Sequence, residues 1–351
     1  MTEKKKQPLM KTLLKYVVPL IISVGLCYLL FTGIDFGEMM SIIKRECDFT
    51  YIAIGLVVAV LSHIFRAFRW GIQLRALGID APKHALIYSI FGTYAVNLVF
   101  PRLGEVWRSG YIAQRQDAPF ATVFGSMVAD RLADTVTVLL ITAATFLMAS
   151  GEILSFLSAN GESYAAIARI LSSPWLWGGV VLCIAAVWIF MVRKSSNRTV
   201  VKIQAAAREL WQGFAVIVKM PGKGRWLLFT LGVWGCYFFQ MYICFYAFPF
   251  TADVLAHHGV LAALVTFVLG SISMGVPSNG GIGPWQWAVI FALGFYAVGK
   301  AQAGAFANLV LGCNTLLLIV LGIITFAGIA LDRKRTKSII NKNTISKCQK
   351  S

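Results

Sequence analysis

Asp130 and Asp134 stand four residues apart in a long, mostly apolar stretch from 121 to 149. Four residues is about one helical turn, so both carboxylates fall on one face. Like charges placed so close repel unless a cation lies between them or one keeps a proton. Arg131 reaches Asp134 at i,i+3 but cannot serve both carboxylates well. Thr122, Ser126, Thr137 and Thr145 extend the same polar stripe. A matching stripe, Ser62, Arg66, Arg69 and Gln73, runs at steps of four, three and four. An acidic and a basic stripe in one half of a chain are able to meet across a polar cavity. The arginines also have a plainer reading, as snorkelling side chains that fix orientation at a membrane surface.

Two Pro-Gly breaks add a different chemistry. The first runs from Asn97 through Pro101, Arg102, Gly104 and Glu105 to Arg108. Arg102, Glu105 and Arg108 are spaced by three, so a helix starting after Pro101 aligns them. Its first turn offers free backbone N–H groups and a positive dipole end, an anion site suited to a lipid phosphate. Asn97, Arg102 and Arg108 are headgroup candidates there, with Glu105 holding one arginine in place. A simple turn carrying two orientation-setting arginines is the alternative. The second break, Pro277 to Pro284, has no charge. Ser278 and Asn279 supply hydrogen bonds, and Gly280, Gly281 and Gly283 let backbone N–H groups approach a ligand. Its Gly-Gly-x-Gly follows no strand, so it is no dinucleotide loop.

Catalytic and metal chemistry have little support. His63, His84, His257 and His258 show no metal-ligand spacing, and the seven cysteines form no CxxC pair. Neither a metal nor a cofactor is expected.

The elements that position these groups are membrane spans. Of 351 residues, 58% are hydrophobic and 13% charged, with a mean hydropathy of +0.72. A soluble domain carries roughly 25% charged residues, which excludes an ordinary soluble enzyme or a disordered chain. The expected fold is an all-α polytopic membrane protein with six full spans, at 17–31, 50–68, 121–149, 174–192, 226–248 and 303–330. Two broken re-entrant hairpins complete it, at 85–114 and 260–299. The basic segments 66–83, 102–115, 193–225 and 333–351 are expected inside, with both termini cytoplasmic. The net charge of +17 then reads as orientation signal and headgroup attraction rather than a nucleic-acid footprint.

On that topology the two hairpins enter from opposite faces, each with Pro-x-x-Gly at its break. This is the pattern of an inverted repeat with halves 50–150 and 225–330, and a binding site where the breaks meet. Two ordinary helix pairs with Pro-Gly turns are the alternative. The whole of 1–332 reads as one membrane domain. An amphipathic cytoplasmic helix is expected at 197–219.

Several of these residues form a known pattern. Arg66, Arg69 and Gly78 are followed by Gly92, Asn97 and Pro101-Arg102-x-Gly104-Glu105-x-x-Arg108. Asp130-Arg131-x-x-Asp134 and Pro277-x-x-Gly280-Gly281-x-Gly283 complete it. Together, from about 14 to 330, they resemble the flippase-like membrane-domain family, the transmembrane region of lysylphosphatidylglycerol synthase. Asp130 departs from the Glu usual in that pattern, keeping the carboxylate with a shorter reach. The resemblance implies a bacterial inner-membrane protein that moves an anionic, aminoacylated or polyprenyl-linked lipid between leaflets. It also implies a possible homodimer. Since only about 20 residues follow the last span, the soluble transferase activity of the full synthases is not expected. An intramembrane enzyme acting on lipid-linked substrates, or a non-transporting partner of such an enzyme, are the rival functions.

Overall fold

The computed structural model describes residues 36–159, 220–276 and 278–348, with positions 173–175, 178, 179 and 182. The expected span 17–31 and the amphipathic helix 197–219 lie outside the described residues, as does nearly all of 174–192. Among the described residues there are nine helices and no strand. They are α1 (Phe36–Glu46), α2 (Phe49–Ala76), α3 (Lys83–Val99), α4 (Leu103–Arg115), α5 (Phe120–Ala159), α6 (Lys223–Phe245), α7 (Pro249–Ser273), α8 (Pro284–Gly294) and α9 (Lys300–Cys348). The helix α9 carries on through most of the segment expected as a basic tail.

Five of them, α2, α5, α6, α7 and α9, are long and apolar enough to cross a bilayer. Four coincide with expected spans. The fifth, α7, begins eleven residues ahead of the hairpin expected at 260–299. Pro249 opens a helix there because its fixed φ suits the first turn. Helical geometry lapses only at Gly259 (φ 66°, ψ −160°), which kinks the element near the residue where a new helix was expected to begin.

Local sequence explains the other ends. Asp48 caps α2, its side chain accepting from the Thr50 N–H at 2.9 Å. The residue before a proline avoids helical geometry, and Phe100 ends α3 in extended backbone (φ −125°, ψ 105°) ahead of Pro101. Pro284 opens α8 as Pro249 opens α7.

Small residues let the long helices cross closely. A Cβ on Gly55 of α2 would stand 2.9 Å from the Cys244 sulfur of α6, and one on Gly232 of α6 would stand 2.8 Å from the Phe65 ring. One apolar core gathers Phe245, Phe248 and Phe306. Another gathers Trp70, Leu74, Ile90 and Ile112.

Helix neighbours fall into matched sets. α2 packs on α3, α3 on α4, α4 on α5, and α3 on α9. Likewise α6 packs on α7, α7 on α8, α8 on α9, and α7 on α5. One exchange, α2 with α6, α3 with α7, α4 with α8 and α5 with α9, maps the first set onto the second. The Asp48 N–H donates to the Ala247 carbonyl at 2.8 Å, and elsewhere the His258 and Tyr296 rings lie 4.8 Å apart. At another point Asp332 of α9 meets Arg115 at 2.9 Å and His84 at 3.2 Å. The start of α3 and the end of α4 therefore lie side by side.

Candidate functional site

The two polar stripes face each other directly. Arg69 of α2 pairs with Asp130 at 2.6 Å and with Asp134 at 2.8 Å. It is the cation between the two carboxylates. Arg66 pairs with Asp134 at 2.9 Å. Arg108 of α4 reaches Asp130 at 3.2 Å, with its guanidinium 4.2 Å over the Trp70 ring. Ser126, on the acidic stripe, accepts from Trp70 Nε1 at 3.1 Å. Arg69, Arg108 and Asp130 are fully buried. Removing one member of such a network strands a buried charge, at a cost of about 3–5 kcal/mol.

Nearer the first break, Glu105 accepts from Arg131 at 3.3 Å and from the Asn97 amide at 3.2 Å. The expectation that Glu105 steadies an arginine holds for Arg131 of α5 rather than for one of its own helix. Asn97 also accepts the Gly104 N–H at 2.8 Å, and the Leu103 N–H goes to the Phe100 carbonyl at 3.2 Å. The expected row of free amides at the start of α4 is thus partly occupied. A side-chain amide from the preceding helix satisfies an orphan donor as a ligand would. This contact needs a glycine: a Cβ on Gly104 would lie 2.1 Å from the Thr93 carbonyl oxygen.

Arg102 sits in left-handed backbone (φ 60°). Its Nη2 crosses to the second break and donates to the Gly275 carbonyl at 2.9 Å. Gly280, Gly281 and Gly283 all have positive φ, and a Cβ on Gly280 would touch Leu98 at 2.8 Å. At the start of α8, Gln286 accepts the Gly283 N–H at 2.9 Å and donates to Asn308. Pro277 lies outside the described residues.

The two breaks enclose a cavity of about 410 Å³. Arg66, Arg102, Arg131, Glu105, Asp134 and Asn97 are among the charged and polar residues that line it. His63, Tyr94, Trp234, Tyr237, Gln240 and Asn314 line it as well. Ser278, Gly280, Gly281 and Trp285 come from the second break, and Phe267, Leu311 and Leu318 are among the apolar remainder. Of the sequence-selected site residues, Arg69, Pro101, Gly104, Arg108, Asp130, Asn279 and Gly283 stand outside this lining. Five arginines, including Arg102, face three carboxylates in and behind the wall, so the region is formally positive by two charges.

A family model for the transmembrane region of lysylphosphatidylglycerol synthase matches residues 16–322. The chain belongs to that family. Among curated proteins, Glycosyltransferase AglD of Haloferax volcanii is 30% identical over 123 residues, 35% of this chain and 20% of that protein. The match thus spans about a fifth of that relative's length.

Sequence reasoning missed part of the cavity lining. His63 is 5% exposed, and neither ring nitrogen has a hydrogen-bond partner. Trp234 Nε1 and Asn314 Oδ1 are likewise buried without partners. The signal for them was present, as polar side chains inside apolar spans. Such residues are costly in a membrane and mark functional surfaces. Weighing the histidines only as metal ligands hid His63.

Proposed function

We propose that the protein moves an anionic lipid between the leaflets of a bacterial inner membrane. The observation that carries this reading is the cavity between the two breaks, lined by both polar and apolar residues, with Arg66, Arg102 and Arg131 on its wall. The formal excess of positive charge suits a lipid phosphate, and the apolar lining suits the start of its chains.

The two breaks read as the tips of re-entrant hairpins. α3 starts and α4 ends beside Asp332, while α7 kinks near the end of α8, and the tips touch through Arg102 and Gly275. The matched helix neighbours support two equivalent halves, which we read as an inverted repeat with six spans in all and both termini inside. Alternating access then amounts to rocking one half against the other around the cavity. Asp134 and Glu105 are engaged by arginines, so neither is poised as a general base. Transport is therefore favoured over chemistry on the lipid.

Purified protein in liposomes with a fluorescent-tailed phosphatidylglycerol tests this reading. Leaflet exchange well above protein-free vesicles is expected. Exchange at the protein-free rate for several anionic headgroups sinks it.

A further inference from the structure

Uncharged polar side chains share the cavity wall with the charged ones and ask for a different partner. His63, Trp234 and Asn314 there present a buried imidazole, an indole N–H and an amide oxygen without hydrogen-bond partners. An unpaired buried polar group is costly, so a ligand that supplies neutral donors and acceptors recovers that cost. Hydroxyl groups do both. Beside them the Tyr94 and Tyr237 hydroxyls lie 3.3 Å apart.

A cationic headgroup fits poorly. The carboxylates that reach the cavity, Asp134 and Glu105, already bind Arg66, Arg69 and Arg131. The aromatic position that would attract an ammonium is filled as well, because the Arg66 guanidinium lies 5.8 Å from the Tyr237 ring centroid. Any added amine meets net positive charge.

Building on the translocase reading, we infer that the substrate is a lipid phosphate or pyrophosphate bearing an uncharged, hydroxyl-rich headgroup, a polyol or a sugar. The phosphate lies toward Arg66, Arg102 and Arg131, and the hydroxyls lie toward His63, Trp234 and Asn314. This class excludes aminoacylated lipids.

Competition in one sample tests it. Protein in nanodiscs is offered equal amounts of phosphatidylglycerol, a glycosylated polyprenyl phosphate, a glycosylated polyprenyl pyrophosphate, phosphatidylethanolamine and lysylphosphatidylglycerol, and retained lipid is read by native mass spectrometry. The same lipids with fluorescent tails are followed for leaflet exchange in liposomes. Retention of at least one hydroxyl-rich lipid about tenfold above both amine lipids is expected, as one or two hydrogen bonds provide. Which hydroxyl-rich lipid leads separates glycerol from sugar and phosphate from pyrophosphate. Equal or greater retention of the lysyl or ethanolamine lipid overturns the inference, with or without exchange. Selective retention without exchange keeps the inference and removes the translocase reading. Asn314→Leu and Trp234→Phe should each lower the retention ratio several-fold. The ratio is internal to each sample, so it remains legible in whichever variant folds. An unchanged ratio in both variants overturns the placement of the headgroup and, with it, the inference.

Discussion

Arg102 and Gly275 are 173 positions apart in sequence, yet the Arg102 guanidinium donates to the Gly275 carbonyl at 2.9 Å. The contact joins the two helix breaks and closes one side of the cavity. It also spends one guanidinium nitrogen and leaves the rest of the group at the cavity wall.

Arg102 therefore separates into a backbone role and a charge role. Arg102→Gly keeps the left-handed backbone without strain, so its thermal stability in detergent should shift by about 1 kcal/mol or less. Its leaflet exchange should nonetheless fall to the protein-free rate. Arg102→Lys should restore part of the exchange. Wild-type exchange in the glycine variant removes Arg102 from the mechanism.

Asp130 and Asp134 are expected to fail in different ways. Asp130 is fully buried, outside the cavity lining, and bound by Arg69 and Arg108. Asp130→Ala should destabilise the protein by about 3–5 kcal/mol in thermal or denaturant unfolding. Asp134 lies at the cavity, where it neutralises Arg66. Asp134→Ala should retain phosphatidylglycerol more tightly and exchange it more slowly, because a freed arginine holds the phosphate. Weaker retention in that variant contradicts the charge assignment.

Two glycines of α4 make a matched steric test. A Cβ at position 104 would lie 2.1 Å from a backbone oxygen, whereas at position 110 the nearest atom is 4.0 Å away. Gly104→Ala should part α3 from α4 and lower the yield of folded protein sharply. Gly110→Ala should be neutral or stabilise by up to about 1 kcal/mol, as alanine favours helix over glycine. Size-exclusion profiles and melting temperatures compare them directly.

Topology is open to thiol labelling. Glu46 and Gln114 are both exposed. In intact cells a membrane-impermeant maleimide should label Glu46→Cys, and should label Gln114→Cys only after permeabilisation. The native Cys47 should interfere little. Burial, with smaller contributions from Cys313 and Asp48, pushes its thiol up to about 11. A raised thiol pKa means less thiolate, so Cys47 should label slowly at pH 7 and faster as pH climbs toward 11. Fast labelling of Cys47 at pH 7 contradicts that environment.

Much was legible from sequence alone because hydropathy and helix breakers act locally. Composition required a membrane protein, and runs of apolar residues placed the starts of α2, α5, α6 and α9 within three positions. Pro101 and Pro284 marked where helices end and begin, since a proline restricts its own φ and its predecessor. The stripes on α2 and α5 were visible because helical periodicity puts i and i+4 on one face. The start of α7 was misplaced, as polar and histidine residues between 251 and 258 hid a helix that Pro249 initiates.

Tertiary structure alone decided which charges face the cavity. Arg66 and Arg69 share one stripe, yet Arg66 lines the cavity while Arg69 is locked behind it between two aspartates. Helical periodicity assigns a face about 100° wide and cannot resolve one neighbour from the next. Only the crossing of α2 with α5 and α4 does so. The meeting of Arg102 with Gly275, and the unpaired group of His63, Trp234 and Asn314, likewise arise between elements far apart in the chain. Their positions depend on how the helices pack, and no local pattern encodes that.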